Sequence, residues 1–216
     1  MEKRVVFKSG DLLLEGILHV PAVIEHKLPG VAVCHPHPLY GGSMHNAVVE
    51  GICKALKEEG IVALRFNFRG VGASEGAYQE GIGERGDVEA AIEFLTSIEA
   101  VDPNSLGVAG YSFGAYVATY AASENPQVSA IALISPPFSM YNFTPLSSCR
   151  KPKLILWGSK DELVGLSAVD VAKIVAEPRK LILIEEADHF WMGKEDEVGK
   201  LVANFFKNTL KRHPKT

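Results

Sequence analysis

The chain has 216 residues, of which 47 % are apolar and 22 % are charged, and its formal net charge is −4. This length suits one domain, residues 1–216, with a sizeable core and with 211–216 as a mobile tail. The mildly acidic balance excludes the strongly basic surface that nucleic-acid binding needs. No apolar run approaches the roughly 18 residues of a membrane span, so we expect no membrane partner.

Three cysteines, Cys34, Cys53 and Cys149, form no CxxC pair and no even disulfide set. The N-terminal stretch MEKRVVFKSGDLLLEG lacks the continuous apolar segment of a signal peptide. Together these features predict reduced thiols in a cytoplasmic protein.

The first part of the chain predicts a change from edge strands to buried strands. RVVFKS and LLLEGILHV alternate polar and apolar residues around a Ser-Gly-Asp turn, which is typical of an antiparallel pair at a sheet edge. GVAVCH is a compact apolar run, typical of a strand buried on both faces. NAVVEGICKALKEEG follows it with helical spacing.

Strands and helices then alternate to the end of the chain. IVALRFNF, SLGVAGYS, VSAIALISP, KLILWGS and RKLILIEEA predict strands; DVEAAIEFLTSI, FGAYVATYAASE, LSAVDVAKIVAE and KEDEVGKLVANFFKNTLK predict helices. This order predicts an α/β fold, with a mostly parallel sheet of about eight strands and helices on both faces. Ligands of such sheets bind beyond the C-terminal ends of the strands. FNFRGVGASEG lacks the GK[ST] of a phosphate loop and is interpreted as a flexible turn.

The segment Gly110-Tyr111-Ser112-Phe113-Gly114 lies where a predicted strand meets a predicted helix. A serine on such a sharp turn is lifted above the sheet edge, and glycines two residues before and after it avoid collisions with the neighbouring strand and helix. The first amides of the helix point at the same space. The pattern therefore predicts a nucleophile, Ser112, beside an anion site.

A serine hydroxyl needs a base in hydrogen-bond reach, and the base needs an orienting acid. Asp161 follows the strand KLILWGS, and His189 follows the strand RKLILIEEA. The order Ser112, Asp161, His189 is that of the α/β-hydrolases. We predict these three as catalytic residues, with Asp188 and Glu162 as alternatives for the acid.

An acyl-transfer intermediate also needs donors for its oxyanion. We expect one from the backbone amide of Phe113 and a second from the loop HPHPLYGGSMHN, where the amide of Tyr40 is favoured and that of His37 is the alternative. His35, His37 and His45 in this loop have no matched acidic cluster, so we predict no metal site and no cofactor.

The chain resembles the small single-domain α/β-hydrolases of the dienelactone-hydrolase-like type. The resemblance covers about residues 10–210 and rests on CHPHPLYGGSMHNAVV, LRFNFRGVGASEG, AGYSFGAYVA, WGSKDELV and ADHFWMG. It implies the α/β-hydrolase fold and the same triad. Dienelactone hydrolases proper use a cysteine nucleophile, and the serine here favours ester hydrolysis instead.

Only PFSMYNFTPLSSCRKP separates two predicted strands at the position where larger members of this fold insert a cap, so we expect no cap domain. Phe138, Met140, Tyr141 and Phe143 either form a low flap over an acyl pocket or cover the core edge. The residues predicted to contact substrate are His37, Phe138, Tyr141 and Trp191.

The predicted function is a carboxylesterase-like serine hydrolase that cleaves small-molecule esters of small or medium acyl chain through an acyl-enzyme. The same triad also suits a peptidase or amidase, or a carbon–carbon hydrolase acting on a dienoate. A non-catalytic interaction module on a hydrolase fold is the alternative of a different class.

Overall fold

Eight strands pair into one sheet in the computed structural model, which describes residues 1–210; the predicted tail at 211–216 lies outside the described residues. The strands are β1 (Glu2–Ser9), β2 (Leu12–His19), β3 (Leu28–Cys34), β4 (Val62–Phe66), β5 (Val101–Tyr111), β6 (Val128–Ile134), β7 (Lys153–Gly158) and β8 (Arg179–Ile184). The α-helices of the described residues are α1 (Ala47–Glu58), α2 (Gly83–Ser97), α3 (Phe113–Ser123), α4 (Ala168–Ile174) and α5 (Glu195–Thr209).

The strand order across the sheet is β1-β2-β4-β3-β5-β6-β7-β8. The β1–β2 and β2–β4 pairs are antiparallel, and every other pair is parallel. All residues of β3, β4 and β7 are buried, because helices cover both faces of the sheet. The predicted α/β fold, with its mostly parallel sheet and antiparallel first strands, is confirmed.

Helices α1 and α5 pack on one face of the sheet, and α2, α3 and α4 contribute to the core on the other face. Two glycines bring α1 and α5 unusually close together. A Cβ on Gly199 would lie 2.5 Å from the carbonyl oxygen of Gly51, so neither helix can carry a larger residue at this crossing without moving. The amphipathic face of each helix is buried where it meets the sheet.

The C-terminal ends of β5, β7 and β8 meet at one edge of the sheet. Ser112 follows β5, Asp161 comes shortly after β7, and His189 comes shortly after β8. Since these strands are parallel, the connections that follow them all emerge on the same side. Three residues spread over the second half of the chain are thereby brought to one place.

The loop that follows β4 differs from the prediction of a flexible turn. Arg69 in this loop forms a buried ion pair with Asp87 of α2, at 2.7 Å between Nη2 and Oδ1. The same carboxylate accepts the backbone amide of Arg69 at 3.0 Å and the hydroxyl of Ser9 at 2.8 Å. One buried carboxylate therefore holds β1, the loop and α2 together.

Helix α2 begins at Gly83, four residues before the predicted start at Asp87. The carboxylate of Glu84 accepts the amides of Gln79 and Gly81, at 2.7 and 2.8 Å, and so anchors the chain entering the helix. Gly83 and Gly86 lie in the first turn, and glycine has a low helix propensity, so the sequence did not predict this start.

Candidate active site

Ser112 lies on a strained turn between β5 and α3. Its backbone φ is 56° and ψ is −118°, a conformation that residues with a side chain rarely adopt. A Cβ on Gly110 would lie 2.3 Å from the carbonyl oxygen of Gly114, and a Cβ on Gly114 would lie 2.5 Å from that of Cys34. The turn closes only because both positions are glycine, and it presents the Ser112 hydroxyl at the sheet edge.

The hydroxyl of Ser112 is joined to Asp161 through the imidazole of His189. Ser112 Oγ lies 2.8 Å from His189 Nε2, and His189 Nδ1 lies 2.9 and 3.0 Å from the two carboxylate oxygens of Asp161. A carboxylate only accepts, so Nδ1 carries a proton that it donates to Asp161, and Nε2 is left free to accept the proton of Ser112. This is the geometry that a serine nucleophile requires of its base.

Asp161 is held in position by backbone amides. Its Oδ1 accepts from Leu163 at 3.1 Å and from Val164 at 3.3 Å, and its side chain is fully buried. The alternative acids are placed differently: Glu162 is exposed to solvent, and Asp188 Oδ1 accepts amides within its own loop. The carboxylate that reaches His189 is therefore that of Asp161.

Phe113, which directly follows Ser112, is the first residue of α3. The first amides of a helix have no intrahelical acceptor, and they carry the positive end of the helix dipole. Phe113 lines the same cavity as Ser112. This placement is the one predicted for the first oxyanion donor.

The second predicted donor, the amide of Tyr40, is a wrong prediction. Pro38–Tyr40 form a single 3₁₀ turn, and the Tyr40 amide donates to the carbonyl of His37 at 3.1 Å. The amides of Gly41 and Gly42 are engaged in the same turn. Within residues 1–210, no acceptor engages the amide of His37, which was the alternative.

Both ring nitrogens of His37 are hydrogen-bonded. Its Nδ1 accepts from the amide of Leu39 at 3.2 Å, so its Nε2 carries the proton and donates to the hydroxyl of Tyr78 at 3.1 Å. The ring lies 4.9 Å from that of Phe113 and 4.7 Å from that of Tyr40, measured between centroids. Burial lowers the pKa of His37, so the ring is held neutral beside the site.

A cavity of about 270 Å³ opens above Ser112 and His189. Much of its wall is apolar or aromatic, contributed by Tyr40, Phe113, Met140, Tyr141, Leu163 and Phe190. Among the described residues, none that lines it is Asp, Glu, Lys or Arg. The cavity therefore suits a neutral group with substantial apolar surface.

Of the residues predicted to contact substrate, His37 and Tyr141 line the cavity, whereas Phe138 and Trp191 are not among its described lining residues. Phe138 packs against Phe143 at 4.6 Å between ring centroids. Trp191 is 1 % exposed, and its Nε1 donates to Ser135 Oγ at 3.0 Å. Of the predicted flap, Met140 and Tyr141 line the cavity, and Phe138, Tyr141 and Phe143 belong to or pack against the core.

The other histidines of the loop after β3 are engaged in hydrogen bonds of their own. His35 Nε2 accepts the amide of Phe68 at 3.1 Å, and its Nδ1 donates to the carbonyl of Pro36 at 2.7 Å. His45 lies near Arg65 and Glu50. Among residues 1–210, no group of three or more His, Cys, Asp or Glu side chains is arranged to hold a metal ion.

The described helices include none with both the length and the apolarity to cross a bilayer.

Comparison with known proteins defines the class. The sequence model of the family described as X-Pro dipeptidyl-peptidase (S15 family) matches residues 21–215, and the chain belongs to this family. An uncharacterised protein of Rickettsia prowazekii (strain Madrid E) is 36 % identical over 188 residues, which are 82 % of this chain and 78 % of that one.

Solved structures agree with this class. A lidless α/β serine hydrolase from Xanthomonas campestris matches with a TM-score of 0.84 and 31 % identity, covering 99 % of this chain and 97 % of that one. A dienelactone hydrolase from Anabaena variabilis shares the fold, with a TM-score of 0.81, 19 % identity and coverage of 98 % and 99 %. The chain is thus a serine hydrolase of the α/β fold, and the resemblance to dienelactone-hydrolase-like proteins is confirmed.

Proposed function

We propose that this serine hydrolase cleaves carboxylic esters through an acyl-enzyme, with Ser112 as nucleophile, His189 as general base and Asp161 as orienting acid. The observation that carries the proposal is the continuous hydrogen-bond chain from Ser112 Oγ through His189 to the Asp161 carboxylate. A buried chain of this kind has a catalytic use and offers little to stability.

In the proposed reaction, Ser112 Oγ attacks the ester carbonyl carbon while its proton passes to His189 Nε2. Asp161 stabilises the imidazolium through Nδ1–H. The tetrahedral intermediate then collapses, and the imidazolium gives its proton to the leaving alcohol. Water attacks the acyl-enzyme in the same way, with His189 again as base, and releases the carboxylic acid and free Ser112.

The oxyanion of the intermediate is stabilised by the amides of Phe113 and His37. Both residues line the cavity with Ser112, and their rings are in contact at 4.9 Å between centroids. Each donor of this kind contributes on the order of 3 kcal/mol to lowering the barrier. This assignment replaces Tyr40, whose amide is occupied.

The proposed substrate is a small neutral ester with a short or medium acyl chain. Its support is the cavity of about 270 Å³, whose described lining carries no acidic or basic side chain other than the imidazoles of His37 and His189. A thioester offers the same carbonyl chemistry, and a thiohydrolase from Arthrinium phaeospermum is 30 % identical over 155 residues.

The three cysteines are free and buried, which supports a reducing, cytoplasmic location.

Peptide hydrolysis is the second candidate, because the family description names a dipeptidyl-peptidase. An enzyme that releases dipeptides must receive a protonated amino terminus close to the scissile bond, and a buried ammonium requires a partner. Among the described residues that line the cavity, no carboxylate side chain offers one. Ester hydrolysis is therefore the better supported reaction.

The test is a panel of nitrophenyl esters from acetate to dodecanoate, with matched thioesters, anilides and Xaa-Pro anilides, assayed beside Ser112→Ala. We expect turnover of esters and thioesters that peaks at short or medium chains and disappears in the variant. Faster cleavage of Xaa-Pro anilides than of every ester would favour the peptidase. Ester turnover that persists in Ser112→Ala would remove the proposed nucleophile.

A further inference from the structure

The residue before the nucleophile is bonded to the backbone of the base. The hydroxyl of Tyr111 donates to the main-chain carbonyl oxygen of His189 at 2.7 Å, and the bond is buried. These two residues are 78 positions apart: Tyr111 is in β5, and His189 lies in the connection after β8. No step of the reaction proposed above uses Tyr111.

Tyr111 is a rigid anchor for such a bond. It is the last residue of β5, which lies between β3 and β6 in the middle of the sheet, and it is 3 % exposed. Its backbone leads directly into the strained turn at Ser112. A hydrogen bond from the Tyr111 side chain therefore holds its partner at a fixed position relative to the nucleophile.

His189, by contrast, lies in the connection between β8 and α5 and not within either element. Its imidazole serves Ser112 only while its backbone keeps the ring at the observed 2.8 Å. Other bonds hold neighbouring points of this connection: Asp188 accepts the amides of Phe190 and Trp191, and the Trp191 indole reaches Ser135. The bond from Tyr111 fixes the peptide of His189 to the strand of the nucleophile.

We propose that Tyr111 is a positioning residue of the hydrolytic site, which sets the distance between His189 Nε2 and Ser112 Oγ by holding the carbonyl of His189. The proposal rests on the proposed function, since it assumes that His189 is the base. The hydroxyl remains a donor at neutral and mildly alkaline pH, because burial raises the pKa of Tyr111 and the nearby Asp161 raises it further.

The test is Tyr111→Phe, which removes one oxygen atom and keeps the ring. Displacement of a catalytic group by about 1 Å costs about 100-fold in rate. We therefore expect kcat for a short nitrophenyl ester to fall by about 10- to 100-fold. KM is expected to stay within about twofold, because the ring and the rest of the cavity wall are retained.

The matched control is Tyr116→Phe. Tyr116 loses the same atom from α3, where its hydroxyl accepts from Arg85 at 3.1 Å and has no bond to the His189 connection. We expect wild-type kcat for this variant. A Tyr111→Phe protein with wild-type kcat, or one in which only KM changes, would overturn the proposal.

Reaction with a fluorophosphonate separates the possible failures. The number of labels per chain at the end of the reaction counts the folded, competent sites. Dividing by this number gives kcat per competent site, even where Tyr111→Phe lowers the folded fraction. The labelling rate is expected to fall in parallel with kcat. Equal labelling rates in wild type and Tyr111→Phe would overturn the positioning role alone. A wild-type chain that does not label would remove the proposed function, and this role with it.

Discussion

Gly114 lies against the end of the neighbouring strand, so that a Cβ added to it would stand 2.5 Å from the carbonyl oxygen of Cys34. The contact joins the first turn of α3 to the start of the connection that follows β3. The two proposed oxyanion amides, of Phe113 and His37, come from these two segments. The close approach of the backbones is thus a requirement of the site and not only of the packing.

Gly114→Ala is expected to destabilise the protein and to lower kcat, because the added Cβ would collide with the carbonyl oxygens of Cys34 and His35, and backbone oxygens cannot rotate away. Overpacking of this kind costs about 1–3 kcal/mol or more. Gly86→Ala is the control: it lies in α2, and its Cβ would find no atom closer than 3.6 Å. Thermal unfolding and ester turnover of both variants test the expectation, and a Gly114→Ala protein as stable and active as Gly86→Ala contradicts it.

The role of the His37 amide can be tested without removing the loop. His37 has φ −57° and ψ 122°, close to the backbone that proline imposes. His37→Pro therefore deletes the amide while matching the backbone, and His37→Ala deletes the ring while keeping the amide. We expect kcat of the proline variant to be lower than that of the alanine variant by about 100- to 1,000-fold. Equal kcat values would exclude this amide as an oxyanion donor.

Asp161→Asn is expected to lower kcat by about 10⁴-fold, because an amide can donate to Nδ1 and thus favours the wrong tautomer of His189. Glu162→Gln makes the same kind of change at the adjacent, exposed position and is expected to retain kcat. Steady-state kinetics on a nitrophenyl ester compare the two. A loss of kcat in Glu162→Gln but not in Asp161→Asn would show that Glu162, and not Asp161, is the orienting acid.

Stability is expected to fall between about pH 6.5 and pH 4. Burial lowers the pKa of His35 from 6.5 to about 4 in the folded protein, so in this range the unfolded chain binds more protons. The free energy of unfolding then decreases as the pH falls, by up to about 3 kcal/mol from this residue. The neutral ring is required because Nε2 accepts the amide of Phe68.

Urea unfolding at several pH values measures this slope. His35→Gln keeps an oxygen that accepts from Phe68 and removes the titrating group, so its slope is expected to be shallower than that of the wild type. His19, whose pKa burial also lowers to about 4, contributes a second component that the variant retains. Identical slopes for the two proteins would show that His35 is not held neutral.

The sheet and the three main site residues could be predicted from the sequence, because both depend on local patterns. Alternating strands and helices define a parallel sheet, and the connections after parallel strands share one edge. Ser112, Asp161 and His189 each follow such a strand directly or closely. Their convergence therefore required no knowledge of loop conformation.

The predictions that failed depend on backbone detail within loops. Tyr40 loses its amide to a 3₁₀ turn, and Trp191, with a φ of 60°, turns its indole into the core and away from the cavity. The supposed flexible turn after β4 is held by Arg69 and the distant Asp87. None of these conformations is marked by periodicity or composition, since each depends on a partner far along the chain or on one dihedral angle.

In the proposed mechanism, His189 activates the Ser112 hydroxyl. The most direct test of this activation is mass spectrometry of the chain after treatment with a fluorophosphonate at neutral pH, followed by proteolysis. We expect one adduct per chain, located on Ser112, and its loss in Ser112→Ala and His189→Gln. An unmodified wild-type chain, or an adduct that forms equally fast in His189→Gln, would contradict this mechanism.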